Sequence, residues 1–464
     1  MTTHRLFPTP ANPAGMHVPD EMSPFPFSSA EVLGSLGTCL RIEDMATRER
    51  ALLDVFQIPG LIDYLAREGG ETLIGMACLA ATYLRTVDER ARIVGAMLQP
   101  AACSAVAAAQ TATQMGQTAC AAVTCLPPGA QRAKVVTALL TPEARRTLVA
   151  AAAPGGDIRA VAEAAYAAAL AMAPGDARAA VVSQLLSDVA CKGLQLGSDG
   201  IALGQAAVAA AIGLPEGDRK AAVLGRLLSA PARHGLVLSN DPMAMGLAAI
   251  AASIGLRGER RQRVIKELLT TEACRALCET GDLPCIAGGA YAAVMAGRHE
   301  RVRDMLPPAV CAAVAASGDP FAIGAAAFAI AMALPAGEAR EAALALLLGP
   351  ESRRTLVASG EAMAIGAGAM AASVGLPRGD RKEVVIRQLL PREACEALVA
   401  SRDDQAVAWA VWAGDPLPPE PRAAVLDQLK AAMAPWQQVL VRAQARGAEP
   451  PTAPAGPRGR SATR

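Results

Sequence analysis

The sequence predicts an all-α fold, a right-handed α-solenoid of about nine repeats with three helices in each. Two observations predict it. The segment starting at Pro350 differs in one of nine residues from the segment starting at Pro142, and the pair Leu347-Leu348 returns 42 residues later as Leu389-Leu390. A fixed period of this length is typical of stacked supersecondary units. Hydrophobic residues make up 52% of the chain but aromatic residues only 3%, and the Ala-rich remainder favours helices over strands.

The three helices of a repeat have different sequence signals. The first opens with Pro-Glu, as at Pro142, because proline suits the first helical turn and an acid favours its positive end. The second is rich in Ala and Gly, and a small residue such as Gly366 is predicted to let neighbouring helices pack closely. A Leu-Pro-x-Gly-Asp turn then starts an amphipathic third helix, with Asp218 and Asp380 as its predicted N-cap residues.

Composition divides the chain into three segments. Residues 1–45 are predicted to be a disordered leader, because the chain from Met1 to Ala30 is rich in Ser, Thr and Pro. Residues 46–434 are predicted to form the solenoid. Residues 435–464 are predicted to form a short helix and a disordered basic tail. The three tryptophans, Trp409, Trp412 and Trp436, indicate a capping repeat at this end of the stack.

Charge and targeting signals restrict the function classes. The net charge of +1, from 44 basic and 43 acidic residues, argues against a dedicated nucleic-acid binder. The N-terminus lacks the pattern of a secretory signal, and the longest apolar stretch is too short to span a bilayer. An odd number of cysteines, 11, in a chain of this size is typical of a reducing cytoplasm. We expect a soluble monomer without membrane insertion, cytoplasmic in the producing cell.

Several of the 11 cysteines share one repeat position. Five of them fall at the same place in the first helix, where three other repeats carry arginine: Cys103, Cys191, Cys274, Cys311 and Cys395 against Arg145, Arg233 and Arg353. A position that accepts either residue is interpreted as a half-buried packing slot. The alternative is a nucleophile pair formed by Cys278 or Cys285 with His299, although no spacing supports it. Metal-ligand, phosphate-loop and nucleophile motifs are absent, so we expect no enzyme, no cofactor and no metal.

An arginine recurs near the start of the third helix. The candidate partner-binding residues are Arg178, Arg219, Arg261, Arg301, Arg340 and Arg381, and Arg90, Arg132 and Arg422 extend the series. One interpretation is local ion pairing, as between Asp218 and Arg219, which contributes about 0–1 kcal/mol per exposed pair. The other is an arginine ladder along one face of the stack that binds carboxylates or phosphates of an extended partner.

The repeat of about 42 residues resembles armadillo and HEAT α-solenoids over residues 46–434. The regular period, the composition and the Ser/Thr/Pro-rich leader are similar to repeat-containing type III secretion effectors of plant-associated bacteria, including the SKWP family. The chain departs from that family in being shorter and in lacking a Ser-Lys-Trp-Pro motif. The resemblance implies a non-enzymatic protein-binding scaffold, secreted into a host cell and acting on a host protein. The alternative is a nucleic-acid-binding helical repeat protein that uses the arginine ladder.

Overall fold

The computed structural model describes residues 28–430 except 110, 154, 155 and 402, and these residues form 29 helices and no strand. The chain divides into two compact units, before and after the bond between Met305 and Leu306. The helices of the first unit are α1 (Ser29–Leu40), α2 (Met45–Phe56), α3 (Leu61–Arg67), α4 (Glu71–Ala81), α5 (Val87–Met97), α6 (Pro100–Ala107), α7 (Ala112–Cys125), α8 (Ala130–Leu139), α9 (Pro142–Ala150), α10 (Ile158–Ala171), α11 (Asp176–Leu185), α12 (Asp188–Leu196), α13 (Gly200–Gly213), α14 (Asp218–Leu227), α15 (Ala230–Ser239), α16 (Pro242–Gly255), α17 (Gly258–Leu268), α18 (Thr271–Glu279), α19 (Leu283–Met295) and α20 (Glu300–Met305). Those of the second are α21 (Pro308–Ala316), α22 (Pro320–Ala333), α23 (Glu338–Leu347), α24 (Pro350–Ser359), α25 (Ala362–Gly375), α26 (Asp380–Leu389), α27 (Arg392–Ser401), α28 (Asp404–Ala413) and α29 (Pro419–Leu429).

The all-α solenoid prediction is confirmed by the order and packing of these helices. From α3 onward a short first helix, an Ala-rich second helix and an amphipathic third helix follow one another repeatedly. In the first unit the second helices α4, α7, α10, α13, α16 and α19 each pack against the next, and in the second unit α22, α25 and α28 do the same. The right-handed sense and the count of about nine repeats stay predictions.

Helix starts follow from local hydrogen bonding. The second helices α10, α13, α16, α19, α22 and α28 begin at an Asp whose side chain accepts a hydrogen bond from a backbone N–H of the first turn, as Asp199 does from Ala202 at 3.0 Å. The third helices α8, α11, α14, α23 and α26 begin after a glycine with positive φ, 143° at Gly217, a conformation that favours glycine. Gly217 and Gly379 are therefore the N-cap residues of α14 and α26, and the prediction that Asp218 and Asp380 cap these helices is wrong by one position. Asp218 is the first helical residue, where an acid still complements the helix dipole.

The predicted role of the small residue in the second helix is confirmed. A Cβ built on Gly366 would lie 2.7 Å from the carbonyl oxygen of Ala406 in the neighbouring second helix. At Gly324 the distance to the Ala364 carbonyl oxygen would be 2.6 Å. Real Cβ atoms do not approach so closely, so glycine is what lets these helices pack.

The N-terminal boundary differs from the predicted one. Residues 29–40, expected to belong to a disordered leader, form α1, which packs against α2 and α4. Ser28 and Glu31 form a capping box, in which the Ser28 N–H donates to the Glu31 carboxylate at 2.8 Å. Val32 and Leu36 on this helix are buried. The rest of the predicted leader up to residue 27, and the predicted C-terminal helix and tail at 435–464, lie outside the described residues.

Candidate functional site

The third helix of several repeats carries a basic residue that binds the end of the second helix. It is the third residue after the glycine: Arg178 follows Gly175, and Lys382 follows Gly379. Arg178 Nη1 donates to the carbonyl oxygen of Ala169 at 3.3 Å, two residues before the end of α10. Lys382 Nζ donates to that of Ser373 at 2.6 Å, two residues before the end of α25. Arg132 and Arg340 make the same kind of bond, to the carbonyl oxygens of Val123 and Leu334.

These bonds have a clear physical cause. The last carbonyls of an α-helix have no partner within the helix, and the helix dipole makes this end attractive to cations. A long basic side chain can pack its stem against the helix and place its charge at the carbonyls. The recurring basic residue is therefore a C-terminal cap that joins two helices of one repeat.

The six candidate partner-binding arginines fall into two groups. Arg178, Arg261, Arg301 and Arg340 are half-buried, and Arg219 and Arg381 are exposed. The exposed pair lies one residue before Lys220 and Lys382, so the six do not share a single repeat position. Arg219 donates to Asp188 Oδ1 at 3.1 Å and to the carbonyl oxygen of Leu186 at 2.8 Å.

The cysteine slot has a donor role that explains its alternation with arginine. Cys191 Sγ lies 3.5 Å from the carbonyl oxygen of Leu186, the C-cap residue of the preceding third helix. At the same position Arg233 Nη1 donates to the carbonyl oxygen of Leu228 at 2.6 Å. Both residue types therefore supply a donor to the closing leucine. Burial raises the pKa of the Cys191 thiol to about 11, which suits packing and not nucleophilic chemistry.

The alternative nucleophile pair gains no support from the thiols. Cys278 lies on α18 and Cys285 is buried on α19, whereas His299 is exposed just before α20. Burial raises the pKa of Cys278, the opposite of what activates a thiolate. In the described part of the chain, no three His, Cys, Asp or Glu side chains are arranged to hold a metal ion.

One second helix carries a buried acid. Glu163, six residues after the N-cap Asp157 of α10, holds the position that Gln205 holds after Asp199 in α13, and it is only 5% exposed. Arg159 Nε donates to Glu163 Oε1 at 2.9 Å, and Arg159 Nη1 lies 3.6 Å from Asp199 Oδ2 at the start of α13. Burial raises the pKa of Glu163, while the Arg159 guanidinium opposes this effect. The sequence shows an acid within this Ala-rich helix, but the burial and the partners of Glu163 depend on the stack.

A side-chain contact also connects two second helices that lie two repeats apart. Gln205 Nε2 on α13 lies 3.6 Å from Cys120 Sγ on α7, although α10 packs against both helices. Burial, and after it the negative charge of Glu163, raise the pKa of the Cys120 thiol to about 12. We name Cys120, Asp157, Arg159, Glu163, Asp199 and Gln205 the Glu163 cluster. No pattern within a single repeat predicts it, because its members come from three repeats.

In the second unit the corresponding face of the second helices is apolar. Phe321 and Met332 on α22, Met363, Met370 and Val374 on α25, and Trp412 on α28 form what we name the apolar face. On α22 and on α25 they follow a single stripe, and equivalent residues such as Met332 and Val374 are 42 positions apart. Met332, Val374 and Trp412 are 38%, 41% and 45% exposed.

Buried aromatic rings support this face. The ring centroids of Phe328 on α22 and Trp409 on α28 are 4.7 Å apart, and α25 packs against both helices. Phe328 and Trp409 occupy the same pair of repeat positions as Cys120 and Gln205. The apolar face therefore has a rigid base.

No family model matches the chain, and no curated protein matches it. Among the described residues, no helix combines the length and the apolar character needed to cross a membrane.

Proposed function

We propose that the chain is a non-enzymatic scaffold that binds another protein through the apolar face of α22, α25 and α28. The observation that carries this proposal is the exposure of Met332, Val374 and Trp412 on three successive second helices. Large apolar side chains clustered on a surface mark interaction sites more often than scattered ones do. Tryptophan and methionine are also enriched where proteins bind each other.

The geometry suits an apolar stripe from a partner. Phe321 and Met332 on α22 are 11 positions apart, and Met363, Met370 and Val374 on α25 are seven and four apart, so on each of these two helices they lie along one ridge beside Trp412 of α28. Phe328 and Trp409 fill the space beneath it and limit its rearrangement. A partner helix with its own apolar stripe can bury these residues without a change of backbone.

Two matched charge substitutions test this proposal. Val374→Asp places a carboxylate in the apolar face, and Val384→Asp places one at an equally exposed valine on α26, a third helix. Full-length chains carrying each change are immobilised and exposed to host or bacterial lysate. The proteins that each variant retains are quantified by mass spectrometry and compared with those retained by the wild type. We expect at least one protein to be retained by the wild type and Val384→Asp and to be reduced about tenfold by Val374→Asp.

Equal retention of every protein by the two variants, with both correctly folded by circular dichroism, would refute the apolar face as the binding surface. If both changes reduced retention equally, the apolar face would also be refuted as the binding surface, because the added charge itself would then explain the loss.

At a finer level, we propose that this scaffold is a bacterial type III secretion effector acting on a host protein. The support is the period, the composition and the Ser/Thr/Pro-rich leader described above. The test fuses a translocation reporter to the C-terminus of the full chain in a plant-associated bacterium. We expect reporter signal in host cells only when the secretion apparatus is intact; signal from a strain without that apparatus would contradict the proposal.

The nucleic-acid alternative has less support. Of the six arginines proposed to contact a partner, four are half-buried, and the basic residue of their repeat position caps helix ends. A nucleic-acid interface needs exposed basic groups at phosphate spacing. Steeply salt-dependent binding of DNA or RNA that is lost on changing Arg219 and Arg381 to Ala would favour this alternative.

A further inference from the structure

The Glu163 cluster carries an excess of negative charge. Within it Asp157, Glu163 and Asp199 are acidic, and Arg159 supplies the positive charge. Asp157 and Asp199 both add to the raised pKa of Glu163, so their charges are felt at the buried carboxylate. Arg159 Nε is bound to Glu163, and its Nη1 is too far from Asp199, at 3.6 Å, for a good hydrogen bond. A second cation would therefore be attracted to this place.

The cluster also contains an acceptor that lacks a donor. Gln205 is 9% exposed, and its Nε2 is directed at Cys120 Sγ. Its Oε1 is buried and has no hydrogen-bond partner in the part of the chain that the structure describes. Burying an acceptor without a donor costs stability, so such an atom calls for an explanation. Binding of a donor group from outside the chain supplies one.

The accessible side of the cluster is formed by its charged members. Arg159 is exposed, Asp199 and Cys120 are half-buried, and Glu163 is buried. The cluster therefore offers a half-buried and a buried carboxylate, together with the buried amide oxygen of Gln205. These are the acceptors that a guanidinium or ammonium group uses in proteins.

We propose that the Glu163 cluster binds a guanidinium or ammonium group, as an arginine or lysine side chain of the bound protein carries. The group contacts Asp199 and Glu163 beside Arg159 and donates to Gln205 Oε1. The inference rests on the proposed protein-binding function, and it assigns a polar anchor to the first unit.

Ligand-observed NMR with the full-length chain tests it. The probes are the peptide acetyl-Ala-Arg-Ala-amide, arginine amide, and the same peptide with citrulline, which keeps the shape of arginine without its charge. We expect saturable binding of the arginine peptide and none of the citrulline peptide. Tighter binding of the peptide than of arginine amide identifies a protein segment as the ligand, and equal binding identifies a free small cation.

Matched variants locate the site. Asp199→Asn should weaken binding of the arginine peptide about two- to fivefold, as expected for one exposed ion pair, and Glu163→Gln about tenfold or more. Asp241→Asn changes the equivalent N-cap residue of α16, where asparagine caps as well as aspartate, and should leave binding unchanged. Gln205→Leu should weaken binding while raising the unfolding midpoint, because it removes the buried acceptor.

Equal binding of the citrulline peptide, or equal loss in Asp199→Asn and Asp241→Asn, would overturn the inference. These outcomes are separate from the proposed function. If the arginine peptide does not bind while protein retention still depends on Val374, the proposed apolar face is supported and only the proposed polar anchor is refuted.

Discussion

Lys382 Nζ donates a hydrogen bond to the carbonyl oxygen of Ser373 at 2.6 Å, nine residues earlier and in the preceding helix. The bond joins the third helix of a repeat to the end of its second helix. Arg178 makes the equivalent bond to Ala169, also nine residues earlier. A repeat is thus closed by a side chain at its turn as well as by its apolar core.

Replacing this cap should destabilise the fold. Lys382→Met keeps the length of the stem but removes the donor and the charge, so we expect a loss of about 1–2 kcal/mol in the free energy of unfolding. Lys382→Arg should retain most of the stability, since arginine stands at this position in other repeats. Urea denaturation followed by circular dichroism measures both changes.

The neighbouring residue provides the control for this prediction. Arg381 is exposed, and Arg381→Met should change the free energy of unfolding by less than about 0.5 kcal/mol. An equal loss from Arg381→Met and Lys382→Met would show that the capping bond is not what stabilises the turn.

Two glycines in helices should respond oppositely to alanine. Gly366→Ala places a Cβ 2.7 Å from the Ala406 carbonyl oxygen, and the resulting strain should exceed the gain in helix propensity. We expect a net loss of about 1–2 kcal/mol. Gly235→Ala in α15 meets no atom within 4 Å and should stabilise the protein by about 0.5–1 kcal/mol. Thermal unfolding measures both effects. If the unfolding midpoints of both variants rose, the result would contradict close packing between the second helices.

The thiols should react slowly in the folded protein. Burial raises the pKa of the cysteines in the shared slot from 9.0 to about 11, so the thiolate fraction at neutral pH falls about a hundredfold. We expect titration with a disulfide reagent at pH 7.5 to be fast for all 11 cysteines in guanidinium chloride and slow for the native chain. A rapidly reacting native thiol that maps to Cys278 or Cys285 would instead favour the nucleophile alternative.

Glu163 should make stability depend on pH in a defined direction. Because burial raises its pKa above 4.5, the folded chain retains the Glu163 proton to a higher pH than the unfolded chain does. The stabilisation from protonated Glu163 is complete below pH 4.5 and is lost as the pH rises through the folded-state pKa. Glu163→Gln does not titrate, so its stability relative to the wild type should rise over this range. The free energy of unfolding of the two proteins is measured by denaturation from pH 4 to pH 7. If the difference between them stayed constant over this range, the effect would be excluded.

The repeat period was sufficient to predict the helices and their packing. Gly366 and Gly324 were identifiable because only a close helix neighbour requires a small residue at a fixed interval, and both lie against the next second helix. The cysteine slot was predictable for the same reason, since a position shared by Cys191 and Arg233 must be structural. The leader boundary was not, because the composition of residues 1–30 hid the capping signal at Ser28 and Glu31.

The arginine series shows where sequence reasoning alone fails. Arg219 and Lys220 are both basic and adjacent, and aligning on arginine selected the exposed residue instead of the buried one. Counting from Gly217 would have selected Lys220, the equivalent of Arg178 after Gly175. The pairing of Cys120 with Gln205, 85 residues apart, has no such local signal because it depends on how three helices stack.

The contacts of Phe328 with Trp409 and of Cys120 with Gln205 have an evolutionary consequence. Each contact skips one repeat, so the side chains at these positions are matched to the second neighbour and not only to the first. Deleting or duplicating a single repeat would give several of these side chains new partners at once. Copying one repeat would keep these contacts only where the pair that skips a repeat is small and interchangeable, which neither the aromatic pair nor the thiol–amide pair is.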